Sequence, residues 1–179
     1  MKRSLSALSF TLFLALFLAA CADVPEGAPP IGHAQVQSPL EIPAGAASLR
    51  LQYGRPVAFN AVQEQDPFCV FELETVSGRP QTVAPARFDI LTIRRSVETF
   101  AGMPALPRFS VRVGLGDDGP SQIYYKTAFR LAPNPQGARS LTCMSNQYMP
   151  GIPIMRHLTL SEMRGALGNH ISLELDGPR

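Results

Sequence analysis

The chain is poor in the residues from which catalytic centres are commonly built. Its 179 residues include three histidines, His33, His157 and His170, and three cysteines. No C-x-x-C pair occurs, which argues against a redox motif of that type. No serine sits in a Gly-x-Ser-x-Gly setting, so the strand-to-helix elbow of a serine hydrolase is missing. Lysine occurs only at Lys2 and Lys126. The apolar run around Leu12–Leu18 falls short of the roughly 20 residues a permanent transmembrane helix needs. Excess positive charge is also scarce. Of 16 basic and 14 acidic residues, Lys2 and Arg3 precede the apolar run, so the remainder carries 14 of each sign. That balance gives no broad positive field to attract nucleic acid.

What is present at the N-terminus is a recognisable export pattern. Lys2 and Arg3 supply a positive start, Leu12-Phe13-Leu14-Ala15-Leu16-Phe17-Leu18 an apolar core, and Ala19-Ala20 small residues at a cut. Leu18-Ala19-Ala20-Cys21 resembles the lipobox of bacterial lipoproteins. That resemblance implies a signal peptide over 1–20, cleavage before Cys21, and acylation of its sulfur and amine, palmitate-type chains included. At roughly 0.8 kcal/mol per buried methylene, one chain holds a protein marginally and two or more hold it stably. Ala22 follows the cysteine where an Asp would favour inner-membrane retention in enteric-type lipoproteins. The resemblance therefore implies the periplasmic face of the outer membrane.

Residues 21–47 follow, with Pro25, Pro29, Pro30, Pro39 and Pro43 and little apolar periodicity. They are predicted to form a tether that would reach roughly 80 Å if wholly polyproline-like. A single domain is then expected over 48–179, large enough for one core. Its dominant pattern is apolar–polar alternation, the mark of half-buried strands. Leu49, Leu51 and Tyr53 alternate, as do Cys69, Phe71 and Leu73, then Phe109, Val111 and Val113. Ile123, Tyr125, Thr127, Phe129 and Leu131 follow, and later Ile171, Leu173 and Leu175. Phe88 to Arg95 is also strand-like, but Ile90-Leu91 breaks the alternation and predicts a bulge or burial on both sides. Gly116–Pro120 and Asn134–Gly137 carry turn chemistry and predict hairpins. Thr159-Leu160-Ser161-Glu162 matches a capping box, so a short helix is expected, stopped by Gly168 and Asn169. The fold class is therefore mainly β, an antiparallel sandwich or small barrel with one short helix late in the chain.

In an oxidising compartment Cys69 and Cys143 are expected to pair. In phase with their apolar neighbours, they would bridge an early and a late strand inside the core. Met149, Met155 and His157 lie near Cys143 on a Pro/Gly-rich connection. Thioether and imidazole are ligands suited to copper, although the spacing matches no metal motif and methionines also fill gaps in cores. Glu72 and Glu74 share a strand face, which paired carboxylates in acid–base catalysis could exploit, but alternation with apolar residues reads as a solvated face. Asp117-Asp118 reads as a turn rather than a calcium loop. Arg94-Arg95, Arg112 and Arg130 could form a basic patch for an acidic partner or for lipopolysaccharide phosphates. Tyr124 and Tyr125 cannot both face inward on a regular strand, which makes Tyr124 a candidate exposed anchor for a partner.

These observations point to a non-enzymatic binding or structural module of the cell envelope, without a cofactor. Its partners would be the membrane, through the anchor, and an envelope protein or glycan rather than nucleic acid. Two alternatives stay open. One is a periplasmic inhibitor or immunity lipoprotein using Gly116–Pro120 or Met149–Ile154 against a wall-degrading or toxic enzyme. The other is a copper binder using the Met/His segment.

Overall fold

A computed structural model describes residues 29–98, 123–147 and 155–176. Ten strands and one helix are seen among them. The strands are β1 (Gly32–Val36), β2 (Leu40–Ile42), β3 (Ser48–Gln52), β4 (Arg55–Val57), β5 (Phe68–Leu73), β6 (Gln81–Val83), β7 (Ala86–Glu98), β8 (Tyr124–Leu131), β9 (Ala138–Asn146) and β10 (Ile171–Leu175). The helix, α1, spans Leu160–Leu167. Eight strands make one antiparallel sheet in the order β10-β1-β7-β8-β9-β5-β3-β4, and β2 pairs with β6 apart from it. The mainly β reading with a single helix holds. The arrangement is nearer the barrel alternative than the sandwich, because one sheet curls on itself. No helix among the described residues is long and apolar enough to cross a membrane.

The helix forces the curl. Helix α1 contacts β3 and β5 near one edge of the sheet and β10 at the other. In a flat sheet β10 and β3 would stand about 29 Å apart at six strand spacings. An eight-residue helix is only about 12 Å long. Both edges must therefore bend toward it. Arg164 donates through Nε and Nη2 to the Leu173 carbonyl of β10, at 3.0 and 2.8 Å. On the other side, Gly54 in the β3–β4 turn donates its N–H to the Ala166 carbonyl at 3.1 Å. The two-residue turn Tyr53-Gly54 has positive φ at both positions, as a type I′ hairpin requires.

The concave face holds the core. Leu51, Phe71, Ile90, Leu141, Leu167 and Leu173 are fully buried there, with Phe71 and Phe88 edge to face. Cys69 and Cys143 lie directly opposite each other on β5 and β9, joined, with Cα atoms 4.0 Å apart and no exposure. Cys69 Sγ lies 3.9 Å from the Met163 carbonyl oxygen of α1, so the bridge sits beneath the helix. The irregularity expected at Ile90-Leu91 is a register shift between Ile90 and Thr92 in the β7–β8 ladder. The Asn134–Gly137 turn joins β8 to β9, with Gly137 at φ 65°. Phe109–Val113 and Gly116–Pro120 lie outside the described residues.

One boundary needs correction. The stretch expected to be tether up to residue 47 carries two strands. β1 lies inside the main sheet between β10 and β7, with Ala34 and Val36 fully buried. β2 buries Leu40 and Ile42 against the core. The folded unit begins by Gly32, and His33, taken for a tether residue, stands 3.3 Å from Glu174 on β10.

The capping box forms as expected, with the Thr159 and Glu162 side chains each meeting the other's backbone N–H. Arg156 adds two bonds to the Glu162 carboxylate, at 2.8 and 2.7 Å. Those bonds, then the Thr159 contacts, outweigh burial and hold the Glu162 pKa at about 2, well below 4.5. A depressed carboxylate pKa means stability present above the ordinary value and lost as pH falls through the folded one. The pair is partly exposed, so its worth is at most about 1 kcal/mol. Glu162→Gln is expected to lower the melting temperature at pH 7 and to flatten its fall between pH 4.5 and 2, measured by thermal circular dichroism. An unchanged pH profile would refute this. At the other end of α1, Gly168 adopts φ 58°, ψ −135°, and a Cβ there would stand 2.3 Å from Gly54 Cα. Gly168→Ala is expected to cost more than about 3 kcal/mol. Gly165→Ala, whose Cβ meets nothing within 4 Å, should stabilise by about 0.5–1 kcal/mol. Urea titration of both variants checks the contrast.

Candidate functional site

The second face of the sheet, turned away from the core, carries the site. Period-2 alternation places Arg50 of β3, Val70 and Glu72 of β5, Ser140, Thr142 and Met144 of β9, Lys126, Ala128 and Arg130 of β8, and Thr92, Arg94, Ser96 and Glu98 of β7 on this face. They line two shallow depressions of about 420 and 780 Å³ that share Glu72, Arg94, Ala128 and Thr142. These are two parts of one groove crossing five strands. Small side chains, Ala128, Ser140 and Thr142, form its floor, and charged ones stand around it.

The two ends differ electrostatically. At one end Lys126 and Glu98 form an ion pair whose side chains are only 10% and 13% exposed. Their charges largely cancel. Glu72 is tied to the Ser140 hydroxyl at 2.6 Å. Burial lowers the Arg50 pKa, the Glu72 charge opposes that shift, and the guanidinium lies 4.4 Å over the Phe59 ring. At the other end stand Arg130 and Arg139 with Glu74, and Arg94 lies in the shared middle. No side-chain hydrogen bond or ion pair engages Arg94, Arg130 or Arg139 among the described residues. Their planar donor forks are open to a carboxylate, phosphate or sulfate.

A loop, residues 58–67, lies on this same face beside the groove, with Val62 packed on the Tyr124 cluster and Phe59 under Arg50, and a side-chain clamp holds it there. Gln52 is 1% exposed although it sits on a strand end. Its Nε2 donates to the Gln63 carbonyl at 2.8 Å and its Oε1 accepts the Gln63 N–H at 2.9 Å. The side-chain amide thus pairs like a strand residue. The device recurs. Gln147 pairs with both backbone groups of Arg156 at 2.5 and 2.7 Å, and Gln136 with those of Ala84 at 3.4 and 2.7 Å. Sequence reasoning missed all three, and the only signal was a glutamine in an apolar phase or beside a turn.

The sequence-derived candidates are distributed unevenly. Arg94 and Arg130 do lie together on the groove face, whereas Arg95 points to the opposite face and Arg112 is outside the described residues. Tyr124 is not an exposed anchor. It is wholly buried in a second apolar cluster with Phe68, Val70 and Met144, against which Val62 packs. Burial, reinforced by Glu64 at its hydroxyl, pushes the phenol pKa well up. The alternation argument failed because both faces of the sheet are covered at this point.

Of the proposed copper ligands, Met149 is outside the described residues and Met155 is half exposed. His157 packs edge-on against Tyr125, ring centroids 5.4 Å apart, with a buried Nδ1 that has no partner. Burial, then the charge of Arg95, lowers its pKa, against a hydrogen bond with the Lys126 backbone. Among the described residues no three His, Cys, Asp or Glu side chains gather as a metal site.

No family model, curated protein or solved structure matches this chain. The reading of the groove therefore rests on its own chemistry. The clamped loop beside it gives a direct check. Gln52→Ala leaves the Gln63 N–H and C=O without their partner and is expected to cost about 2 kcal/mol. Denaturant unfolding measures this, and hydrogen exchange should show the Gln63 amide deprotected. A change below about 0.5 kcal/mol would mean the clamp contributes nothing.

Proposed function

We propose that the chain is a lipid-anchored, non-enzymatic binding module of the bacterial envelope, held by Cys21 on the periplasmic face of the outer membrane. The groove on the second face is its binding surface, and an anionic envelope protein or glycan is its ligand class. The observation that carries this reading is the group of open guanidinium forks at Arg94, Arg130 and Arg139 above a floor of small side chains. Beyond Lys2 and Arg3 the charges balance at 14 of each sign, so recognition would be local, through bidentate hydrogen bonds rather than a long-range field. The lipobox-like Leu18-Ala19-Ala20-Cys21 supports the anchor.

Two measurements in intact bacterial cells test it. Labelled palmitate should enter the wild type and not Cys21→Ser. A photo-crosslinking residue at Thr92, in the groove, should give adducts that the same residue at Thr82, on β6, does not. Arg130→Glu/Arg139→Glu should cut the Thr92 adducts roughly tenfold, as expected for losing contacts worth 1.5 kcal/mol or more. Equal labelling of Cys21→Ser would sink the anchor. Adducts indifferent to the double charge reversal would sink the groove.

A further inference from the structure

We infer that the β7–β8 end of the sheet rests on the bilayer that holds the anchor, with Ile93, Arg95 and Val97 meeting the lipid headgroups. The inference rests on the lipid anchor proposed above and adds an orientation and a contact surface. It follows from where the chain enters the sheet. β1 is antiparallel to β7, and its pairing covers only Ala86 to Asp89, while Ile31 donates its N–H to the Ile90 carbonyl at 2.9 Å. Followed backward from Gly32, the chain therefore leaves the sheet beside Leu91, heading the way β7 continues. Leu91 to Glu98, eight residues, run on past that point, paired to β8. At 3.3 Å per residue this overhang is about 26 Å long.

The reach of the anchor decides how close the overhang comes. Ten residues, 22–31, separate Cys21 from β1. They span at most about 33–36 Å when fully extended. As a flexible coil they span about 16–19 Å, less than the overhang itself. With β7 directed at the bilayer, even the taut limit leaves a gap of about 10 Å, one Debye length at physiological salt. In that orientation the end of β7 lies where headgroup charge is felt, and the β2–β6 ladder, which follows β1 and precedes β7, lies at the opposite end of the sheet.

The overhang has the chemistry of an interfacial surface. Ile93 and Val97 are 38% and 44% exposed although both lie in the stretch paired to β8. Arg95 sits between them on the same face and is exposed. Aliphatic side chains flanking an arginine suit the boundary between acyl chains and lipid phosphates.

The test uses the full, lipidated protein in nanodiscs of phosphatidylethanolamine and phosphatidylglycerol containing a headgroup-nitroxide lipid. With Cys21 acylated and Cys69 joined to Cys143, Val97→Cys or Thr82→Cys supplies one thiol for a fluorophore. Quenching at position 97 is expected to exceed that at 82 by roughly threefold or more, and to fall by about half or more with Arg95→Glu, which leaves the groove arginines intact. Omitting phosphatidylglycerol should act in the same direction. Equal quenching at the two positions, or more at 82, with the protein still carried on the discs, overturns the orientation. Quenching indifferent to Arg95 overturns the headgroup contact. Protein that does not stay with the discs reports a separate failure, that of the anchor.

Discussion

Everything in this fold depends on one close approach, that of Gly54 and Gly168. The β3–β4 turn and the C-terminal cap of α1 meet so tightly that a Cβ on Gly168 would stand 2.3 Å from Gly54 Cα, and one on Gly54 3.1 Å from Gly168 Cα. With Arg164 bonded to β10, this contact fastens a single short helix to strands that lie far apart in the sheet order. Curvature is the consequence. A flat sheet of these strands would leave its apolar face open. Bent around α1, it buries Leu51, Phe71, Leu141 and Leu173 against Met163 and Leu167. The bridge between β5 and β9 lies under the same helix, so covalent and packing constraints converge on one point.

That economy leaves the other face of the sheet to do different work. One helix covers one side only. The second face is closed locally by the 58–67 loop, through the Gln52 clamp and the cluster of Val62, Tyr124 and Met144, and is otherwise polar. Glutamine serves here as a surrogate strand. An amide side chain presents one donor and one acceptor at nearly peptide spacing, so it can fasten a loop without extending the sheet. Buried amides left without partners would cost more than such a bond contributes. Gln52 therefore fixes the 58–67 loop in one register beside the groove.

Much of the fold was legible in the chain, for reasons that separate cleanly from what was not. The period-2 run at Ile171–Leu175 reads correctly because one face is core and the other polar, and Cys69, Phe71 and Leu73 read correctly as core although Val70 between them is buried on the other face. The capping box at Thr159–Glu162 and the bulge at Leu91 are local signals needing no tertiary partner. β1 and β2 were illegible because five and three residues bounded by prolines give too few turns of the alternation. Ala34, Val36, Leu40 and Ile42 are buried by neighbours contributed from β7, β10 and β6, which no local window contains. Tyr124 misled for the opposite reason, since its strand is covered on both faces. Of the groove, Arg94 and Arg130 could be placed on one face from alternation. Their grouping with Arg139 and the small floor residues depends on strand order, and antiparallel pairings between distant segments leave no mark on spacing.

The position of β1 has a mechanical side as well. A strand at a sheet edge can be peeled away one hydrogen-bonded pair at a time. β1 instead lies between β10 and β7, with ladders on both sides. A pull transmitted from the proposed anchor acts along the strand axis, because the chain leaves Gly32 in line with it. That geometry loads both ladders in shear, so several bonds must yield together rather than in sequence. Gly32 marks the crowded entrance to this arrangement. A Cβ there would come within 2.4 Å of the Glu174 carbonyl oxygen, so β1 fits between its neighbours only with glycine at its first position. Under the proposed anchoring, the residue that admits β1 is the same one that would receive a load from the membrane and pass it to two ladders at once.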